Sequence, residues 1–317
     1  MTPTDWLLES DPAISWQAMD ALTSAAAAHV AAERAKVAQT GWGATLLGRQ
    51  DADGVWRTPG YELASGRWYG SAGWTTLAVL QLLREFGPDP ASRDVAAAIA
   101  RLAGSAAFLT SMPPFMAWAG LPFFAGETEP CINGRVVAVG AYFGQDVQSV
   151  VDRLLGEQMT DGGWNCEQEN GSVRGSFGST INVLEGLLEF EHATGGTPAT
   201  HEARQRGEEY LLVRGLMRRL STGEPIKSDF TRFALPNGWH YDILRGLDYL
   251  RAAEAPRDAR LDEALALVAA KRGADGRWLL EQKHSDEQVF DMGEAEGQPS
   301  RWITLRAMRV LAYFKAA

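Results

Sequence analysis

The 317 residues are 45% hydrophobic and 22% charged with a formal net charge of −10, the make-up of a globular chain rather than a disordered one. That charge excludes a general nucleic-acid-binding surface, because phosphate contacts need clustered Lys and Arg. Two cysteines are too few for a disulfide framework, and no basic stretch leads into an apolar core at the N-terminus, so a cytoplasmic single domain over 1–317 is expected.

From the N-terminus onward, six helix-compatible segments start near Trp16, Trp74, Cys131, Thr180, Trp239 and Trp302, at intervals of 49 to 63 residues. Partner segments fall between them at roughly 25–48, 91–108, 146–158, 200–218 and 258–272. Within the first series, Ile181, Leu184, Leu187 and Leu188 recur at helical spacing, as do Ile243, Leu244, Leu247 and Leu250, and then Leu305, Met308, Leu311 and Ala312. Strand signals are nearly absent, and no phosphate-binding glycine loop sits at a strand-to-helix junction. The longest mostly apolar run, Phe108 to Ala125, is too short and too rich in proline to span a membrane. It reads as core or cavity lining, and no transmembrane segment is expected.

Three connections look alike: Gln50-Asp-Ala-Asp-Gly-Val-Trp56, Gln158-Met-Thr-Asp-Gly-Gly-Trp164 and Lys271-Arg-Gly-Ala-Asp-Gly-Arg-Trp278. Asp-Gly suits a turn, since glycine accepts positive φ and aspartate bonds its own backbone. The tryptophan at the end of each can lock the turn by burying a large ring. Successive tryptophans are 108 and 114 residues apart, room for two helix hairpins per interval.

These Gln, Asp-Gly and Trp elements resemble the Gln-Trp motifs of the terpenoid-cyclase and protein-prenyltransferase superfamily. Asp161-Gly-Gly-Trp-Asn-Cys166 followed by Gly175-Ser-Phe-Gly-Ser-Thr180 is similar to that group's inter-helix and inner-helix pattern. The resemblance implies an all-α chain forming a single (α/α)6 toroid or barrel of helix hairpins, with functional groups on loops and inner-helix N-terminal ends around an apolar cavity. Closure requires the last helix to pack on the N-terminal ones; an open solenoid has the same local signature. Two departures from the group's pattern leave its activities unassigned to this chain. The Asp-X-Asp-Asp acid motif of squalene-type cyclases is missing, the nearest acidic cluster being Asp286-Glu287 in a charged loop. The Asp, Cys and His zinc set of the prenyltransferases is not reproduced in full around Cys166 or His240.

Candidate chemistry gathers at the predicted inner-helix starts. In Trp239-His-Tyr-Asp-Ile-Leu-Arg245, His240 can transfer protons near neutral pH. Asp242 can act as an acid only if burial raises its pKa, with helix capping as the alternative. Glu169, in the charged loop after Cys166, is a third acid–base candidate, and that loop reads equally as a solvated rim. Glu185 and Glu189 share a helix face and are expected on the outside or toward the helix end. Cys131, Cys166 and His240 form a chemically possible Cys2His zinc site with an open position, although isolated cysteines also pack as small apolar residues. Arg135, Arg174, Arg245 and Arg301 could grip an anionic head group through their planar forks.

Aromatic side chains concentrate in the same places: Trp68, Tyr69, Trp74, Phe115, Trp118, Phe123, Phe124, Phe177, Trp239, Tyr241 and Trp302. Of these, Trp74, Trp239, Tyr241 and Trp302 are the expected lining for a hydrophobic, isoprenoid-like small molecule, or for a carbocation held by cation–π attraction. Three functions fit: a cyclase- or transferase-like enzyme with proton-initiated chemistry, a non-catalytic lipid or metabolite-binding module, and a partner-binding scaffold.

Overall fold

The computed structural model describes residues 1–57, 72–104 and 122–316, so Trp68, Tyr69, Phe115, Trp118 and most of the Phe108–Ala125 run lie outside the described residues. Among the described residues the chain is all-α, and backbone pairing outside helices is limited to isolated bridges such as Trp164 with Ser176. The helices are α1 (Pro3–Leu8), α2 (Pro12–Leu22), α3 (Ala27–Ala35), α4 (Gly41–Gly48), α5 (Ala72–Phe86), α6 (Arg93–Ala103) and α7 (Pro130–Tyr142), followed by α8 (Gln148–Gly156), α9 (Phe177–Thr194), α10 (Pro198–Leu212), α11 (Ile243–Ala252), α12 (Asp262–Ala270) and α13 (Arg301–Ala316).

Helices α2, α5, α7, α9, α11 and α13 begin within four residues of the six expected starts. Burial separates them from their partners. Ten of the 13 residues of α7 and 12 of the 18 of α9 are buried, whereas α3 buries none; a helix buried all round belongs inside, and a one-sided helix belongs outside. Helix α11 starts later than Trp239 because Asp242 caps it, its carboxylate accepting the Arg245 N–H at 2.9 Å. The partner segment expected at 25–48 is broken into α3, a 3-10 turn at Lys36–Ala38 and α4.

The three look-alike connections are one repeated device. The indole N–H of Trp56, Trp164 and Trp278 donates to the carbonyl ten residues earlier, on Leu46, Leu154 and Val268, at 2.7 Å each. Each tryptophan's backbone N–H donates at 3.0 Å to a threonine hydroxyl on the next inner helix: Thr76, Thr180 and Thr304. Burying one such ring removes about 200 Å² from water, roughly 5 kcal/mol before entropy is counted. In two copies a glutamine adds a further link. Gln50 bonds the carbonyls of Gly54 and Ala98, and Gln158 those of Gly162 and Ala203.

The turn glycines show how the ends of the chain meet. Gly54, Gly162 and Gly276 have φ of +90°, +87° and +80°, and each lies against the next outer helix in the series. A Cβ on Gly54 would meet the Arg101 carbonyl of α6, and one on Gly162 the Arg206 carbonyl of α10. On Gly276 it would meet Pro3 of α1. Helix α1 therefore stands where the periodicity calls for an outer partner to α13. Trp6 of α1 is held between Arg277 and Arg301, whose guanidinium carbons lie 4.0 and 4.6 Å from its ring, and α13 packs on α2 as well as α11.

Among the described residues, the most extensive helix contact is α7 on α9. It depends on Gly134 and Gly186: a Cβ on Gly134 would come 2.5 Å from the Asn182 backbone, and one on Gly186 2.5 Å from the Gly134 carbonyl. Glycine lets the two backbones touch.

Candidate functional site at the inner-helix ends

One part of the inner-helix assembly is charged and compensated. Glu185 of α9 accepts from Arg245 of α11 at 2.8 and 2.9 Å and from Arg84 of α5 at 3.4 Å, while Arg84 also bonds Glu189 at 3.0 Å. Arg306 of α13 bonds Asn237 at 2.6 Å and Glu85 of α5 at 2.9 Å. Arg309 joins Asp248 of α11, and at 2.9 Å Gln17 of α2. This overturns the outward placement expected for Glu185 and Glu189. A polar stripe on a helix looks the same whether water or arginines face it, and here arginines do. Burial pushes the Glu185 carboxyl up, but Arg245, Arg84 and Arg306 together outweigh it and hold the group below its ordinary value.

Toward the N-terminal ends, Arg135 of α7 makes a two-pronged pair with Glu287 at 3.0 and 3.1 Å. Both side chains are buried, at 0% and 2% exposure, and the Arg135 guanidinium lies 5.0 Å from the Trp74 ring. Glu287 comes from a 3-10 turn at Ser285–Glu287 and reaches inward beside Gly238, where a Cβ would strike it at 1.9 Å. Sequence reasoning missed this residue. The Asp286-Glu287 pair was visible, but nothing local signals that one acid of a charged loop points into the protein.

The other expected site residues divide by task. Asp242 is 3% exposed and spends its carboxylate on three donors: the N–H groups of Arg245 and Ala234, at 2.9 and 3.1 Å, and the Asn237 amide at 2.8 Å. Burial still raises its pKa. Tyr241 is a packing pillar, its hydroxyl donating to the Leu216 carbonyl at 2.8 Å and its ring 4.9 Å from Phe177 and from Phe230. Trp302 is buried and stacked on Phe86 at 5.8 Å. Arg301 donates to the Trp6 carbonyl at the closure contact, and Glu169 and Arg174 are exposed on the loop before α9.

Two groupings remain at the ends. The first is an aromatic stack: His240 lies 4.0 Å from Trp239 and 3.5 Å from His284, nearly parallel to the latter at 9°. All three are half-buried. The second is the cysteine pair. Cys131, in the first turn of α7, and Cys166, in a 3-10 turn before α9, bring their sulfurs to 2.8 Å. Their third donor neighbour is Glu129, all ligand atoms lying within 4.8 Å of one another, whereas His240 is engaged in the stack. Ser179 Oγ is 3.2 Å from the Cys166 sulfur. The Cys131 hydrogen bond, with help from Ser179, lowers the Cys166 pKa, and that same bond and burial raise that of Cys131.

Two thiols and a carboxylate have the chemistry to hold a metal ion. Two Zn–S bonds of about 2.3 Å at a tetrahedral angle would set the sulfurs about 3.8 Å apart, about 1 Å wider than the 2.8 Å between them here.

No protein-family model and no curated protein matches the chain. Among solved structures it is similar to a protein from Actinoplanes, with 19% identity, 97% of this chain and 90% of the other covered, and a TM-score of 0.41. It is also similar to a type II terpene cyclase from Scytonema solved with geranylgeranyl dihydroxybenzoate, with 19% identity, 95% and 85% coverage and a TM-score of 0.41. An apo structure of that cyclase gives 17% identity, 90% and 96% coverage and a TM-score of 0.35.

Proposed function

We propose that the chain is a terpenoid-cyclase-like (α/α)6 toroid that binds a hydrophobic, isoprenoid-class small molecule at the inner-helix N-terminal ends. The observation that carries this reading is the pairing of aromatic faces with a fixed charge there: Trp74 over Arg135, held by Glu287, and the Trp239–His240–His284 stack. Flat apolar faces supply affinity for a polyprenyl chain, and a compensated guanidinium adds an oriented donor set. The charged network elsewhere on the inner helices favours a site confined to the helix-start end.

For proton-initiated chemistry, His240 is the better carrier. Asp242 is committed as a cap, and protonating it would sacrifice bonds that hold the start of α11. Zinc is not needed for this reading. No helix among the described residues is long and apolar enough to cross a membrane, so the ligand would be met from water or from a membrane surface.

The test is a titration of the protein's tryptophan fluorescence with farnesol, geranylgeraniol and their diphosphates, followed by extraction and product analysis. Saturable binding that weakens at least tenfold in Trp239→Ala is expected, and new products lost in His240→Ala would make the protein an enzyme. Absence of saturable binding to all four probes would overturn the proposal. A partner-binding scaffold then becomes the better reading, since the charged inner-helix network already fits it; against it, the large exposed apolar side chains among the described residues are few, at Met1, Val173, Val213, Leu220 and Leu279.

A further inference from the structure

The close approach of the two sulfurs, 2.8 Å apart, also suits a chemistry other than metal binding. We propose that Cys131 and Cys166 are a reversible dithiol–disulfide pair, a redox modification site that ties the first turn of α7 to the loop entering α9. At 2.8 Å the sulfurs need to close by less than 1 Å to reach the 2.03–2.05 Å of a bond, and would have to separate by about as much to share a tetrahedral ion. The two cysteines are 35 residues apart in sequence, so the bond would join elements that no local turn connects. Cys166 is half-buried and within reach of a small reagent, while Cys131 is the more deeply buried of the two.

The surroundings give the two thiols different parts. Cys166 has the Ser179 hydroxyl at 3.2 Å to support a thiolate. Cys131 has the Glu129 carboxylate at 3.6 Å, which disfavours an anion and can take its proton. With a small-molecule disulfide as oxidant, the Cys166 thiolate attacks one sulfur, forms a mixed disulfide and expels one thiolate. Cys131 then gives up its proton, attacks the Cys166 sulfur and expels the second thiolate. In balance, two protein thiols become one disulfide and the oxidant becomes two thiols.

The bond has a place to be felt. Cys131 stands one helical turn before Arg135 on the same face of α7, so fixing the first turn fixes the approach of the guanidinium that pairs with Glu287 and faces Trp74. This chemistry is independent of which small molecule the ring binds.

The experiment equilibrates the full-length protein in a series of reduced-to-oxidised glutathione ratios and reads it by intact mass, thiol titration and a non-reducing peptide map. The expected result is cooperative loss of both thiols, a mass lower by two hydrogens, and a cross-linked peptide containing Cys131 and Cys166. Cys131→Ser should instead stop at a glutathione adduct on Cys166. Thermal melts of the oxidised and reduced forms serve as the fold control, with a higher Tm expected only for the oxidised wild type. Two results would overturn the proposal: independent glutathione adducts on both cysteines of the wild type, or stoichiometric zinc in the reduced protein that shields both thiols from oxidant.

Discussion

Trp164 and Thr180 are joined by a 3.0 Å hydrogen bond from the tryptophan backbone N–H to the threonine hydroxyl, and the Trp278–Thr304 pair repeats it at 3.0 Å. Each bond fastens a turn to the next inner helix, and each is buried. Thr180→Val keeps the shape and leaves the N–H without a partner, so it should cost about 1–3 kcal/mol, while Thr180→Ser should recover most of that loss. Thr304→Val should cost a similar amount. The two sites belong to different repeats, so the double variant should show additive losses within about 0.5 kcal/mol. Urea unfolding of wild type and the four variants measures this, and a neutral Thr180→Val would show that the bond is dispensable.

Gly134→Ala tests the contact between α7 and α9. The new methyl would sit 2.5 Å from the Asn182 backbone, and neither helix has a flexible side chain there to move aside. A loss of about 3 kcal/mol, at the upper end for overpacking, is expected. Gly156 at the end of α8 has nothing within 4 Å of a built Cβ, so Gly156→Ala should be neutral or slightly stabilising. Similar melting temperatures for the two variants would contradict the close approach.

The helix pairs were legible because periodicity and turn chemistry are local. Apolar spacing around Leu184 or Leu247 marks a helix without knowledge of its neighbours, and Asp-Gly before Trp56, Trp164 and Trp278 marks a turn. The site was less legible because its partners are distant: Arg135 and Glu287 are 152 residues apart, and only folding brings them together. The charged stripe of Glu185 and Glu189 failed for a related reason, since sequence carries the stripe but not what faces it. The cysteines lay between these cases. Their positions at inner-helix ends were readable, yet Glu129 as their neighbour, in place of His240, needed the structure.

Glu127 should impose a pH dependence on stability. Its carboxyl is buried before α7, and burial lifts its pKa from 4.5 to about 7, against the N–H groups of Glu129 and Thr128, which lower it. The folded protein thus holds this proton more tightly than the unfolded chain. The resulting stabilisation is full below about pH 4.5 and is lost as pH rises to about 7, amounting to up to about 3 kcal/mol. Other carboxyls titrate in the same window, so the informative quantity is the difference between wild type and Glu127→Gln. Denaturant unfolding from pH 4.5 to 8 should show wild type losing ground to the variant as pH rises, with the difference flat above pH 8. A difference that does not change with pH would mean Glu127 stays ionised in the fold.

The Arg135–Glu287 pair makes the sharpest energetic prediction. With the side chains 0% and 2% exposed, neither charge has water to fall back on if its partner is removed. Arg135→Met should cost about 3–5 kcal/mol, because it strips a buried carboxylate of its two-pronged ion-pair partner, and Glu287→Leu should do the same to the guanidinium. Combining them replaces the pair by apolar groups of similar length, and stability should return to within about 1 kcal/mol of wild type, a coupling of several kcal/mol in the cycle. Additive losses would place the two groups in water instead. The restored double variant also separates stability from function: if it folds normally but binds the isoprenoid probes at least tenfold more weakly, the pair is there for the ligand, and unchanged binding would confine it to holding the 285–287 turn in place.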